Sequence, residues 1–524
     1  MLIFFSMVII SCAKQSLAGP KGGPKDETPP AIDTIKSTPN YQTRFTDRKI
    51  ELVFDEWIQS RSLISKLLIS PPLKFLPKLQ TRGKKVTIEF NEEEVLKENA
   101  TYIFNLGDAI SDFREGNKVE NLNFVFSTGD VIDSLGFSGT VVDALSGKPV
   151  QDIYVMMYDD LTDSVVYKEK PFYFVKTNKE GKYTFQNIRA DTFKLLALKD
   201  GNLNYTYDKG LEQVGFIDSL IHLTDSVTFT IDLEVFVEEK PPQFSRLSSA
   251  QNGKINLAFK DILMEYPEFR LNPEVEMAYR ELKKDTLVLY TLDTSAFTLY
   301  IQDDTLNLDM YISDAFKETR LKLEGQPPGK PTLSPRDSLK LTFDTPITTI
   351  NIDSIYIYDT SSINKTINTF ISGKKLSVTG NWKSDSLLTV LIKPNSVKDI
   401  YGRGNDSITF SFLTAPIEKY GDVIFELVGL DSSQSYVVKL MKGQDELRRN
   451  IVMDTDSTSM MFNTLVPGEY SITVLEDKNR NGRWSPGSYD LKQQAEDIVT
   501  ITLEALRENW ELQARYHWKN KTKE

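Results

Sequence analysis

The chain has 524 residues, of which 40% are hydrophobic, 11% aromatic and 26% charged, so it can bury several cores and is not a disordered polymer. At roughly 100–200 residues per domain the length implies about three to five domains. A net charge of −12 argues against binding nucleic acid through a basic face. The only cysteine is Cys12, and the two histidines are His222 and His517. That inventory excludes a Cys/His zinc site, an iron–sulfur cluster, an intramolecular disulfide and a Cys–His nucleophile pair within the mature chain.

Residues 1–11, MLIFFSMVIIS, are almost wholly apolar. They are too short to span a bilayer, which takes about 20 residues, and fit the hydrophobic region of a secretory signal. The next segment, AKQSLAGPKGGPKDETPP, is rich in Gly, Pro, Lys and Ser with no apolar period, and reads as a flexible tether. Beyond it no long helical period occurs. Short runs rich in Val, Ile, Phe, Tyr and Thr recur instead: KIELVFDE (49–56), KVTIEF (85–90), NLNFVFST (121–128), SLKLTFD (338–344) and SITFSFLT (407–414). Such runs between turn residues predict β-sandwiches. PEVEMAYRELKK (273–284) is the one stretch read as a short helix. Pro-rich junctions at Pro29-Pro30, Pro241-Pro242 and Pro327-Pro328 mark boundaries.

Two internal repeats organise the chain. Residues 30–130 and 329–415 share a strand ending Phe-Asp (Phe54-Asp55; Phe343-Asp344), a middle strand, an Asp/Gly turn (SDFREGN; KDIYGRGN) and a last strand ending in Thr128 or Thr414. Residues 135–236 and 420–515 form the second pair. The first copy reads GFSGTVVDALSGKPVQDIYVMMYD and then TNKEGKYTFQNI; the second keeps FNTLVPGEY and ends ENWELQARYHW.

Several segments resemble known families. Ile9-Ile10-Ser11-Cys12 resembles the lipobox of bacterial lipoproteins, which implies cleavage before Cys12 and acylation of that residue. The entry PPAIDTIKSTPN followed by IELVFDEWI resembles the bacterial Ig-like domain of the S-layer type. The second repeat resembles the carboxypeptidase-regulatory-like, transthyretin-like sandwich. The whole resembles Ig-like-domain lipoproteins of Bacteroidota. The implied fold is all-β: a string of Ig-like and transthyretin-like sandwiches after a lipidated flexible tether. The expected division is signal peptide 1–11, tether 12–29, Ig-like sandwich 30–131, carboxypeptidase-regulatory-like sandwich 132–240, degenerate Ig-like domain 241–328, Ig-like sandwich 329–416, and transthyretin-like sandwich with polar tail 417–524. The implied address is the outer membrane through Cys12. The tether resembles that of surface-displayed lipoproteins, although the acidic pair Asp26-Glu27 lies farther from Cys12 than in their export signal. Both membrane faces stay open, with the cell surface preferred.

Two constellations could carry chemistry. Asp-X-Asn-X-Asn occurs as Asp200, Asn202, Asn204, followed by Asp208 and Glu212, and as Asp477, Asn479, Asn481, followed by Gly482, Ser485 and Asp490. Oxygen ligands at positions 1, 3 and 5 with Gly at 6 are how a loop wraps Ca²⁺, but Ser488 stands where the bidentate Glu of position 12 belongs. The same residues also close a tight turn without metal, and both copies follow a hydrophobic strand, which favours the turn. No other cofactor is implied. Asp-Ser/Thr-aliphatic occurs eleven times, at Thr34, Ser134, Ser164, Ser219, Ser226, Thr286, Thr305, Ser338, Ser354, Ser386 and Ser407, where composition predicts roughly two. The triplet resembles the acceptor of the Bacteroidota O-glycosylation system; structurally it would cap a turn before a strand.

Carboxylate pairs such as Asp55-Glu56 and Asp159-Asp160 are not placed by the sequence across any cleft, and no Gly-X-Ser-X-Gly elbow or P-loop occurs. An enzyme is not expected. The expected role is an interaction or scaffold lipoprotein, an accessory subunit of an outer-membrane assembly, transport or secretion complex, whose partner is an envelope protein such as an outer-membrane barrel. The alternative is a surface glycan-binding protein that uses exposed members of Trp57, Trp382, Trp484, Trp510 and Trp518.

Overall fold

Alternating burial along the β-runs dictates the architecture. In Lys49–Val53 the side chains of Ile50 and Leu52 are buried, and in the partner strand Lys85–Glu89 so are Val86 and Ile88. Period-two burial of this kind makes one face of each sheet a core face. A computed structural model describes residues 26–61, 63–119, 122–224, 229–325, 332–359, 363–364 and 367–518. Its described residues are nearly all strand and loop, with helices of three or four residues. The all-β expectation holds. The chain divides into two compact units, residues 1–238 with 487–494, and residues 239–486 with 495–524.

The first unit holds two hydrophobic clusters. One, from Phe45 to Phe126, lies between the sheet of Lys49–Val53, Lys85–Glu89 and Lys78–Arg82 and the sheet of Leu68–Ser70, Thr101–Gly107 and Leu122–Ser127. Phe126 is its centre, within 4.1–6.4 Å of the rings of Phe45, Phe90, Tyr102, Phe104 and Phe124. The other cluster runs from Phe137 to Val235. Here Leu135–Asp143 pairs antiparallel with Lys182–Ile188 and parallel with Leu233–Val237. Residues 487–494 complete this unit: the buried Tyr489 ring packs against Tyr167, Tyr207 and Phe216, its N–H donates to Glu238, and Lys492 pairs with Asp163 at 2.7 Å.

The second unit holds three clusters, Phe244 to Met310, Leu321 to Phe412 and Val423 to Trp518. The middle one repeats the main strands of the first sandwich: Leu339–Thr342, Lys375–Gly380 and Ile367–Ser372 on one side, Ile355–Tyr358, Ser386–Ile392 and Ile408–Thr414 on the other, with Thr332–Leu333 and Ile363–Asn364 added at the edges of the second sheet. The last repeats the 135–237 region: Gly421–Val428 pairs antiparallel with Ser457–Leu465 and parallel with Glu511–His517. The stretch read as a short helix is instead extended. Tyr279–Lys283 forms a hairpin with Thr286–Tyr290 across a tight turn at Lys284-Asp285, Lys284 having φ 52°. Leu287 and Leu289 of the central strand are fully buried, and sheet pairing overrides the helix propensity of AYRELKK.

Candidate functional site

The two Asp-X-Asn-X-Asn segments are the same loop built twice. Each begins with a buried Asp at the end of a core strand, Leu198 preceding Lys199-Asp200 and Leu475 preceding Glu476-Asp477. Asp200 accepts the N–H groups of Asn202, Leu203 and Tyr205; Asp477 accepts those of Asn481 (3.0 Å) and Gly482 (2.8 Å). Position four is left-handed in both (Leu203 φ 62°, Arg480 φ 59°), and so is position six (Tyr205 φ 62°, Gly482 φ 76°). The Asn amides converge on one acceptor: Asn202 and Asn204 donate to Asp208, Asn479 and Asn481 to Ser485. Their carbonyl oxygens accept backbone N–H groups two residues on.

A second buried acid closes each loop from the opposite side. Glu212 accepts the N–H of Gly201 and Asp208; Glu496 accepts those of Lys478, Asn479 and Ser485. Burial raises the Glu496 carboxyl above the usual range, against the pull of those three N–H bonds. Sequence reading missed Glu496. Its counterpart Glu212 follows Asp200 by twelve residues, whereas the stretch 487–494 intervenes between Asp477 and Glu496 and displaces the signal. The predicted oxygens are thus brought together, and in the structure they tie the loop's own backbone, as a turn requires. Among the described residues no group of three His, Cys, Asp or Glu is placed to hold a metal.

Cys12 and Ser226 lie outside the described residues. Of the other acceptor hydroxyls, Thr34, Ser134, Ser164, Ser219, Thr305 and Ser407 are exposed, while Thr286, Ser338, Ser354 and Ser386 are half-buried. Asp33 shows the turn chemistry, its carboxylate accepting the N–H of Ile35 at 3.1 Å.

The tryptophans split. Trp382 and Trp518 are core residues, Trp484 and Trp510 are half-buried, and Trp57 is 64% exposed. An open groove of about 880 Å³ is lined by Tyr266, Phe269, Arg270 and Tyr300, but guanidinium groups cover its rings, Arg270 over Tyr300 at 4.4 Å and Arg280 over Tyr266 at 5.4 Å. Another, of about 870 Å³, contains Glu324 and Asp337, which pair with Lys283 and Lys374 and with Arg448.

Residues 26–128 match the bacterial Ig-like domain. No curated protein matches the chain in sequence. Solved structures similar to it include the Bacillus anthracis TIE protein, at 9% identity over 95% of this chain and 76% of that one, with a TM-score of 0.15. The N-terminal part of the bacterial S-layer protein SbsC aligns at 14% identity over 37% of this chain and 50% of that one, with a TM-score of 0.17, so the chain spans half of that fragment. The major pilin subunit BcpA of Bacillus cereus aligns at 10% identity over 74% and 99%, with a TM-score of 0.12. At such TM-scores these likenesses carry no argument.

Proposed function

We propose that this chain is a non-enzymatic lipoprotein of the bacterial cell surface, held to the outer membrane by an acylated Cys12, and that its sandwiches present binding surfaces as an accessory subunit of an envelope assembly, transport or secretion complex. The observation that supports it most is structural duplication. Two sandwich types each occur twice with the same pairing among their principal strands, while the residues that fill and surround those strands differ. A scaffold diversifies in that way, because contact residues change on a retained frame. The Ig-like match over 26–128 agrees with a surface module. The lipobox-like Ile9-Ile10-Ser11-Cys12 and the tether after it support the anchor.

Pull-down of the natively lipidated protein from mild-detergent membranes tests the reading. A stoichiometric envelope partner is expected; a protein that emerges alone, with no acyl mass on its N-terminal peptide, would sink both the subunit role and the anchor. Glycan binding has the weaker support, since a single tryptophan of the described set stands free and the tyrosine faces of the open groove are occupied by arginines.

A further inference from the structure

The two Ig-type sandwiches superpose residue by residue through their backbone hydrogen bonds. Phe54 N–H reaches Lys84 O as Phe343 N–H reaches Lys374 O; Ile58 N–H reaches Gly83 O as Ile347 N–H reaches Gly373 O; Phe113 N–H reaches Trp57 O as Ile400 N–H reaches Pro346 O, all at 2.7–3.0 Å. Trp57 therefore stands where Pro346 stands, Gly83 where Gly373, and Asp112 where Asp399.

In the 339–414 sandwich this end is covered by the sandwich before it in the chain. The Tyr279 ring lies on Gly373, so close that a Cβ there would come within 2.4 Å. Phe316 stacks 4.2 Å from the Arg403 guanidinium, and Arg403 pairs with Asp399 at 2.7 Å and approaches Asp344 at 3.6 Å. Lys374 is buried between Glu281 and Glu324. Thr345 and Pro346 are buried as a result.

In the first sandwich the same end is uncovered among the described residues. Trp57 is 64% and Phe113 63% exposed, and Lys84, the counterpart of the buried Lys374, is exposed. Asp26, Asp55, Glu56, Asp112 and Glu115 gather there, and none of the five is in an ion pair among the described residues. Asp112 accepts the N–H groups of Glu115, Gly116 and Asn117, with no arginine in the place Arg403 takes beside Asp399. Asn117 donates to the carbonyls of Asp26 and Thr28, so the chain enters the sandwich at this end.

We propose that this end, made by the Asp55–Ile58 corner, the Gly83 hairpin and the Asp112–Asn117 turn, docks a folded β-domain of another protein that presents an arginine beside an apolar side chain. The arginine supplies the cation that Arg403 supplies in the sister copy, at the exposed carboxylate of Asp55, the counterpart of the Asp344 that Arg403 approaches, and lies against the exposed Trp57 ring, the best cation–π acceptor. The apolar neighbour covers Phe113. Large exposed aromatics around a desolvatable charge are how interface anchors are built. A lipid surface is disfavoured because anionic headgroups would meet the exposed carboxylates of Asp26, Asp55 and Glu115, and a second copy of this end for the same reason. The inference rests on the scaffold reading above and names its contact site.

Replacing Trp57, and separately Phe113, by the photocrosslinker p-benzoylphenylalanine in the full-length lipidated protein in its own cells tests the site. Both side chains are exposed, so the variants keep the fold; Leu76, 82% exposed on the same sandwich, is the control position. The expected result is one protein crosslinked from 57 and 113 but not from 76, with the attachment mapped beside an arginine in a β-domain. Adding Asp55→Lys with Glu56→Lys should reduce that crosslink by about tenfold or more. Attachment to phospholipid, to residues 12–25 of the chain, to a second copy or to a segment lacking arginine would overturn the proposal, as would no crosslink or one indifferent to the charge reversal. A stoichiometric pull-down partner without these crosslinks removes this site and leaves the scaffold reading standing; no pull-down partner removes the reading itself.

Discussion

Arg403 and Asp399, four residues apart on one turn, form an ion pair at 2.7 Å in which both side chains are almost fully out of water. The guanidinium also donates to Thr345 (2.8 Å) and Thr319 (2.9 Å), so its fork joins three chain segments. Asp399 further accepts the N–H groups of Tyr401 and Arg403. Removing the cation leaves a buried carboxylate without its counter-charge. Arg403→Met should destabilise the second unit by about 3–5 kcal/mol. Arg403→Lys should recover only part of this, since an ammonium cannot form the planar fork. Urea unfolding followed by near-ultraviolet signals checks both; a loss within about 0.5 kcal/mol, as for a surface change, would refute the structural role.

Gly83 and Gly373 separate a backbone effect from a packing effect. Both are left-handed, with φ 63° and 58°. Placing a Cβ there costs roughly 1–2 kcal/mol from conformation alone. At Gly83 the nearest atom, on Trp57, is 4.0 Å away; at Gly373 the Tyr279 ring is at 2.4 Å. Gly83→Ala should therefore show only the conformational cost, and Gly373→Ala a further 1–3 kcal/mol or so from overpacking. Equal losses in parallel denaturation curves would mean that Tyr279 does not rest on Gly373.

Acid should loosen the second unit through Glu324. Burial alone would raise its carboxyl, but Lys283 at 2.6 Å and Lys374 at 2.7 Å outweigh that and hold it at about 2, below its ordinary 4.5. A carboxyl whose folded pKa is depressed stabilises above its unfolded pKa and loses that contribution as pH falls. The loss runs from about pH 4.5 down to about 2. Half-exposed Glu324 makes it modest, but the buried Lys374 gives it a readable partner. Denaturation midpoints measured across that window should fall in the native chain, and Glu324→Gln should flatten this part of the profile.

Periodicity made the sheets readable. The strands at 49–53, 85–89, 122–127, 339–342 and 408–414 all fall inside runs picked out by their β-branched and aromatic residues. What hid was contact at a distance. Tyr489 sits in a loop between Gly487 and Gln494, yet its ring is buried with Tyr167 and Phe216, more than 270 residues earlier. No local pattern announces a partner so remote. The Tyr279 strand was misread because its own residues favour helix and its burial comes from the neighbouring strand. The loop sites were half legible: Asp200 and Asp477 stood out by spacing, while Glu496 closes the second loop from beyond an insertion.

Glycosylation at the Asp-Ser/Thr-aliphatic triplets, if it occurs on the folded chain, requires the whole triplet to be reachable. Ile35 is 93% exposed beside the exposed Thr34, and Leu220 is exposed beside Ser219, whereas Leu287, Leu339 and Ile355 are buried beside Thr286, Ser338 and Ser354. We expect occupancy at Thr34 and Ser219 to exceed that at Thr286, Ser338 and Ser354, read by glycopeptide mass spectrometry of protein from the native cell. Uniform occupancy would place modification before folding, and an unmodified mass would assign the triplets to turn capping alone.

The paired loops offer a direct test of metal against self-closure. Asp477 carries two backbone N–H groups and Asp200 three, and Glu496 and Glu212 hold the other side. With these bonds made, each loop has its charges satisfied by its own amides, and no cation is needed to close it. Thermal unfolding should therefore be the same in millimolar Ca²⁺ and in chelator. Asp477→Ala should cost about 1–3 kcal/mol by stranding the Asn481 and Gly482 donors. Asp477→Asn should cost less, because its one amide oxygen still accepts from one of the two donors. The pattern expected for a metal loop is different: a Ca²⁺-dependent rise in unfolding temperature that Asp477→Asn abolishes. Observing it would reassign Asp477, Asn479 and Asn481 from turn closure to coordination, with Glu496 as the added acidic ligand.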